Sequence, residues 1–223
     1  MRMRRKRHLD ERFETYKGLW IDINKAEADA RIAKANKELI NFKEIFGNDN
    51  PVYLEIGCGK GGYAIAHAQK HPEINILAVE YISNVLIDAC EQAKPLELPN
   101  LKFLCTGAEY LEKYIAEGSI DRVILNFSTP YQKKAYYKSR LTYVGFLQSY
   151  KTLLKDGGKL YQKTDDKDFF DFSLTQYEEI GAKMHFVTRD LHTEWQEENI
   201  VTEYEAKFTS LGFKINGAIV SFD

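Results

Sequence analysis

Residues 52–62, VYLEIGCGKGG, constrain this chain more tightly than any other stretch. Val52, Tyr53, Leu54 and Ile56 carry strand-forming side chains, and Gly57, Gly59, Gly61 and Gly62 follow at once. A strand that enters a glycine turn and then the helical spacing of YAIAHAQK opens a parallel β–α unit. The rest of the chain repeats that unit. Residues 75–80 (NILAVE), 101–105 (LKFLC), 121–127 (DRVILNF) and 158–163 (GKLYQK) read as further strands. Helices fill about 62–70, 83–93, 108–116, 141–154 and 166–180. The strands are short runs rich in Val, Ile and Leu, as expected where both sheet faces are covered. The end breaks the alternation: 183–190 and 214–222 read as strands, with a short helix within 199–210. The spacing predicts a doubly wound α/β domain on a mostly parallel, seven-stranded sheet, with a late antiparallel hairpin at one edge.

Upstream of the glycine turn, residues 1–25 read as irregular behind a basic arm. Residues 26–46 read as one helix, on the spacing of Ile32, Ala35, Leu39, Phe42 and Phe46, with Gly47 as its stop. The chain therefore divides into a basic arm and helix over 1–47 and a sheet domain over 48–223. Its 223 residues, 44% hydrophobic, suffice for one core. No run approaches the ~18 apolar residues of a membrane span. The basic start lacks an apolar segment, and Asp10, Glu11 and Glu14 follow it, so it reads as neither a secretory signal nor a transit peptide. Cys58, Cys90 and Cys105 are odd in number without a C-x-x-C pair, which argues for a reducing cytoplasm and against a disulfide framework or zinc site. Cys58 reads as a small residue filling a tight turn. His67, His71, His185 and His192 have no metal-ligand spacing, so no metal is expected.

Gly57, Gly59 and Gly62 fit G-x-G-x-x-G, the pattern of a dinucleotide turn. Glu55, two residues before the first glycine, is a poor neighbour for a pyrophosphate. S-adenosylmethionine has no phosphate; it carries an amino group, a carboxylate, a sulfonium and an adenosine. Glu55 suits its cationic part. Glu80, at the end of the next strand, suits a ribose diol in either ligand class. Cys105-Thr-Gly-Ala-Glu109 follows the third strand, where adenine often rests; Glu109 either reads the amino edge or opens the next helix. Asn126-Phe-Ser-Thr-Pro130 leaves the fourth strand, where strand ends line the ligand crevice. The pattern favours a methyltransferase over a dehydrogenase.

The chain resembles the bacterial tRNA (guanine-N7)-methyltransferases. The resemblance rests on MRMR at the start, LEIGCGKG (54–61), DRVILNFSTP (121–130), KK (133–134), RLTY (140–143), LLKDGGKLYQKTD (153–165) and NIVTEYEAKF (199–208), in order over nearly the whole chain. It implies a Rossmann-like methyltransferase domain over 48–223. It implies S-adenosylmethionine as cofactor, bound by Glu55, Gly57, Gly59, Glu80, Tyr81, Gly107, Ala108, Glu109, Asn126 and Thr129. It implies tRNA as partner, met by Lys133, Asp165 and the Thr202, Glu203, Tyr204 and Glu205 run, in a monomer or homodimer. The family usually has NFSDPWPK where this chain has NFSTPYQK, so Thr129 stands at the catalytic Asp, Tyr131 at Trp and Gln132 at Pro. The family acid after the third strand aligns with Gly107.

Guanine N7 has an in-plane lone pair and no proton to lose, so attack on a sulfonium methyl needs alignment more than a strong base. A nearby carboxylate would stabilise the positive charge that the purine gains. Asp165 or Asp166 is placed to supply it, although Asp165 equally reads as a helix N-cap, as does Thr202 with Glu205 at capping-box spacing. Residues 2–7 hold Arg2, Arg4, Arg5, Lys6 and Arg7; a second basic group, Lys133, Lys134, Lys138 and Arg140, is interleaved with Tyr131, Tyr136 and Tyr137. The arm is expected to contact phosphates. The rival readings are a methyltransferase for another acceptor, a tRNA-binding paralogue without catalysis, and a nucleotide-dependent oxidoreductase.

Overall fold

A computed structural model describes residues 4–23, 36–195 and 199–222. The described strands are β1 (Trp20–Ile21), β2 (Val52–Ile56), β3 (Asn75–Val79), β4 (Leu101–Leu104), β5 (Ile120–Asn126), β6 (Leu154–Thr164), β7 (Lys183–Thr188) and β8 (Asn216–Ser221). They form one sheet in the order β1-β4-β3-β2-β5-β6-β8-β7. Pairings from β1 through β6 are parallel, and β8 runs antiparallel to both β6 and β7. The expected edge hairpin is present, with β8 inside it and β7 at the rim. The two-residue β1 makes eight strands of the expected seven. Strand order reverses between β2 and β5, which opens a crevice at their C-terminal ends.

Two cores flank the sheet. On one face Leu54, Leu77, Val123 and Leu160 pack against α5 (Leu111–Tyr114), α6 (Val144–Leu153) and α7 (Lys167–Glu179), through Leu111, Leu147, Tyr150, Phe170 and Tyr177. On the other, Ile76, Ala78 and Phe103 pack against α3 (Gly62–Lys70) and α4 (Ser83–Ala93), through Ala64, Ile65, Leu86 and Ala89. That second face is polar over β5 and β6. There Arg122 lies 3.9 Å from the Tyr161 ring centroid and 4.4 Å from that of Tyr53. Trp195 sets its edge against Tyr161 and Phe186. The connection between β7 and β8, which carries α8 (Leu191–Glu194) and α9 (Glu203–Ser210), supplies the partners on this side.

The N-terminal part differs from its sequence reading. Residues 1–25 were expected to be irregular, yet α1 (Leu9–Thr15) buries Leu9 and Phe13, one helical turn apart, in the second core. Of the helix expected over 26–46, residues 24–35 lie outside the described residues, and among the described ones Phe42–Phe46 forms α2. Glu38 and Ile40 instead donate their backbone N–H groups, at 2.8 Å, to the carbonyls of Lys113 and Tyr114. Those carbonyls offer the segment an extended partner that its helical apolar spacing does not reveal. Among the described residues no helix is long and apolar enough to cross a membrane.

Candidate active site

The crevice between β2 and β5 has two adjoining lobes. The larger, about 570 Å³, is lined by Gly57, Glu80, Tyr81, Gly107, Ala108 and Glu109 on one side and by Phe127, Ser128, Thr129, Tyr131 and Lys138 on the other. The smaller, about 380 Å³, is lined by Glu55, Gly57, Gly59, Lys60, Tyr63, Asn126 and Phe127, with Thr202, Glu203 and Tyr204 across from them. Gly57 and Phe127 belong to both.

The turn after β2 is built from backbone. Gly57, Gly59 and Gly61 have φ of 81°, 57° and 79°, in the region that favours glycine. The N–H groups of Gly57 and Cys58 both donate to the Val79 carbonyl, at 2.8 and 3.0 Å. A Cβ on Gly57 or Gly59 would meet nothing within 4 Å, so the missing side chains leave room for a ligand against the backbone. Gly61 differs: a Cβ there would lie 2.9 Å from Ala89 Cβ. The sequence pattern picked Gly62 as the third glycine; the close packing falls on Gly61. Cys58 is buried, and that burial pushes its thiol well above the usual range, in keeping with a filler role.

Two acids flank the turn in different states. Glu80 accepts from the N–H of Gly59 at 3.2 Å and of Ile82 at 2.9 Å. Burial raises its pKa all the same, and each oxygen keeps a lone pair for a hydroxyl. Glu55 is 2% exposed. Asn126 Nδ2 donates to its Oε1 at 3.2 Å, while Oε2 has no hydrogen-bond partner. Desolvation raises the Glu55 carboxyl to about 7, against the Asn126 hydrogen bond and the charge of Lys163. A buried carboxylate oxygen without a donor, at the edge of an open lobe, fits a cationic ligand group.

The loop after β5 is strained. Phe127 and Tyr131 have φ of 50° and 40°, a conformation that costs a non-glycine residue about 1–3 kcal/mol and collects at functional sites. Arg140, buried, holds the loop: its Nε donates to the Pro130 carbonyl at 2.7 Å and its Nη2 to the Tyr131 carbonyl at 3.3 Å. Its guanidinium sits 3.7 Å from the Tyr137 ring centroid and 4.4 Å from that of Phe172. Ser128 Oγ is buried without a partner beside the larger lobe.

The substrate-side residues separate. Tyr204 faces the smaller lobe, packs tilted against Phe127 with ring centroids 4.9 Å apart and donates its hydroxyl to Asp165 Oδ2 at 3.3 Å. Asp165 itself lines a different depression, with Lys167, Asp171 and Arg189, so it does not share a lobe with Thr129. The N-cap of α7 is Asp166, whose carboxylate accepts from Phe169 N–H at 2.7 Å; that reading of Asp165 is set aside. Thr202 does cap α9, accepting from Glu205 N–H at 3.0 Å. Glu205 is fully buried and bound to Lys163 Nζ at 2.7 Å and Asn199 Nδ2 at 2.6 Å, so its carboxylate is not open to a substrate. Lys133 is exposed and lines neither lobe. Sequence reasoning counted Arg140 in a basic group and Ser128 in the crevice-lining run, and gave no individual role to Lys163 or Tyr63; the buried guanidinium, ammonium and hydroxyl of Arg140, Lys163 and Ser128 are what mark those three.

A reversed-order parallel sheet, with an acid-flanked glycine turn at the reversal, defines a Rossmann-like methyltransferase. Residues 49–218 match the model of the family described as "Putative methyltransferase", and the chain belongs to that methyltransferase family. Among solved structures it is similar to the 16S rRNA methyltransferase KamB, with a TM-score of 0.58 and 15% identity over 91% of this chain and 95% of that one. A 30S ribosomal A1408 methyltransferase from an uncultured bacterium gives a TM-score of 0.55 and 11% identity over 88% and 95%. A SAM dependent methyltransferase from Aquifex aeolicus gives 0.53 and 13% over 87% and 98%. At these identities the likeness is one of fold.

Proposed function

We propose that this chain transfers a methyl group from S-adenosylmethionine to N7 of a guanine in the variable loop of tRNA. The cofactor assignment follows from the family and from the site: Glu55 Oε2 is a buried acceptor in want of a donor, and an amino group supplies one. Glu80 takes the ribose diol with its free lone pairs. Gly57 and Gly59 leave the backbone open to the ligand's body, while Tyr81, Gly107, Ala108 and Glu109 surround the adenine end. Bound S-adenosylmethionine supplies an electrophilic methyl on a sulfonium.

The observation that carries the acceptor is the chemistry of the β5 loop. Asn126, Ser128 and Thr129 offer an amide and two hydroxyls, and the run 126–132 contains no carboxylate or imidazole. Such a loop orients an acceptor that already has a lone pair; it does not remove a proton from one. Guanine N7 is that kind of acceptor. The sequence motifs point to tRNA, and the rRNA-methylating neighbours are consistent with an RNA substrate. Thr129 borders the lobe where the acceptor enters and positions it through its hydroxyl. Tyr204 flanks the smaller lobe and carries Asp165 behind it, so Asp165 acts through Tyr204. Thr202 and Glu203 form the same wall, and Lys133 meets phosphate outside the crevice.

The test incubates the full chain with unmodified tRNA transcript and methyl-labelled S-adenosylmethionine, then digests the RNA and identifies the labelled nucleoside. Labelled 7-methylguanosine is the expected product. A different labelled nucleoside overturns the acceptor; no transfer despite measured cofactor binding overturns the activity.

A further inference from the structure

We infer that Ser128 recognises the acceptor guanine at its reacting edge: the serine hydroxyl donates to O6, the acceptor atom beside N7. The inference rests on the guanine-N7 reading.

Ser128 Oγ is buried and has no hydrogen-bond partner, yet the residue lines the larger lobe. A loop serine ordinarily turns its hydroxyl back to the N–H two residues on. Here that residue is Pro130, which has no N–H. The backbone around it is held by other groups. Phe127 N–H donates to the Lys163 carbonyl at 2.8 Å. The Pro130 and Tyr131 carbonyls accept from Arg140 at 2.7 and 3.3 Å. Gln132 Nε2 donates to Asp166 Oδ2 at 2.7 Å, while Asp166 Oδ1 caps α7. The loop is thus braced ahead of Ser128 and behind it, and a shift that gave the hydroxyl an internal partner would break one of these bonds. A buried hydroxyl left unpaired destabilises a fold. It is retained where a ligand completes it.

The crevice narrows the choice of ligand. Glu80 and residues 107–109 face the cofactor's diol and adenine from the opposite wall of this lobe, and Glu55 meets its amino group in the smaller one. Those assignments leave no polar group of the cofactor to Ser128. The acceptor has one to offer. A guanine presents two acceptors side by side on a single edge, N7 and O6. N7 must face the methyl for an in-line transfer, so O6 enters the site with it. A hydroxyl carries the proton that O6 lacks. Depth agrees with this division: Thr129 is exposed at the mouth, whereas Ser128 sits deeper with its hydroxyl out of solvent. Rotation about one bond gives that hydroxyl three staggered positions, so it can turn to a base while the braced backbone stays still.

The test is a cycle in which one member is a residue and the other a base atom. Affinity of the full chain, with S-adenosylhomocysteine bound, is measured for tRNA transcripts carrying guanine or 2-aminopurine at the acceptor position. 2-Aminopurine keeps N7 and lacks O6. Ser128→Ala is expected to weaken the guanine transcript roughly tenfold and to leave the 2-aminopurine transcript unchanged. Gln132→Ala, which loosens the brace without touching the base, is expected to weaken both transcripts alike. Without ligand, Ser128→Ala is expected to melt at or above the wild-type temperature, since it removes an unpaired buried group. Equal effects of Ser128→Ala on the two transcripts overturn the inference while the guanine reading stands. A loss of S-adenosylhomocysteine affinity in Ser128→Ala overturns it too, and gives the hydroxyl to the cofactor. Wild-type protein whose labelled product is not 7-methylguanosine overturns the inference and the reading together.

Discussion

Glu55 titrates in a useful range because it is buried with one oxygen unpaired. Its folded pKa of about 7 lies above the 4.5 of an ordinary carboxyl. A raised acid binds more protons in the folded state, so its contribution to stability is complete below about 4.5 and is lost as pH rises through about 7. Without cofactor, the Glu55→Gln variant therefore gains stability relative to wild type between pH 5 and 8, measured as the difference between two denaturation series. Cofactor binding has the opposite sense, since a cationic ligand group selects the ionised carboxylate. Wild-type affinity for S-adenosylmethionine is expected to rise between pH 6 and 7.5 with a proton released on binding. Glu55→Gln is expected to lose roughly tenfold or more at pH 7.5 and to bind with no pH dependence over this range. Calorimetry in two buffers of different ionisation heat reads both. The placement of Glu55 and Glu80 at the crevice was legible because strand ends and glycine spacing locate them. Their unequal states were not, since burial and the Asn126 partner come from a strand 71 residues away in sequence.

At the scale of elements, the turn between β2 and α3 separates two uses of glycine. Gly57→Ala strains a φ of 81° but meets open space; it is expected to cost about 1 kcal/mol of stability and to obstruct cofactor binding. Gly61→Ala strains a φ of 79° and drives a Cβ to 2.9 Å from Ala89 Cβ on α4; it is expected to cost about 2–4 kcal/mol, while the protein that remains folded keeps its cofactor affinity. Melting temperature and affinity, measured together, separate the two. The alternating strands and helices from Val52 to Glu179 were readable because each is a local apolar period closed by a turn. Three things were not local. α1 is a short charged helix held by Leu9 and Phe13 against α4. Residues 36–41 follow the carbonyls of Lys113 and Tyr114. The strained φ of Tyr131 lies beside carbonyls held by Arg140, which reaches back across nine and ten residues, and that of Phe127 beside an N–H held by the Lys163 carbonyl.

In the whole molecule, the polar half of the second face is closed by the connection between β7 and β8, and Lys163 pins that connection to the sheet. Its ammonium, buried at the end of β6, meets Glu205, the Asn199 side chain and the Ile200 carbonyl. Desolvation lowers the Lys163 pKa while Glu205 holds it up. Lys163→Met leaves the buried Glu205 carboxylate without its lysine, with the Asn199 amide and the His192 ring still beside it, a change expected to cost about 3 kcal/mol. The Lys163→Met, Glu205→Leu double variant is expected to recover much of that loss. Denaturant midpoints of the four proteins of the cycle give the coupling. Sequence reading placed Glu205 in the substrate group because it lies in TEYE; its partner on a distant strand gives it a structural task.

The strand order also bears on how the molecule is made. β8 leaves the ribosome after β6 and β7, yet it lies between them, pairing with β6 from Lys159 to Thr164 and with β7 from Lys183 to Thr188. All six of its residues are buried. Until β8 emerges, β6 presents an unpaired edge and β7 has no neighbour. The nascent chain thus carries an open seam from the emergence of β6 until β8 follows, and the crevice two strands away is assembled beside a wall still waiting for its keystone.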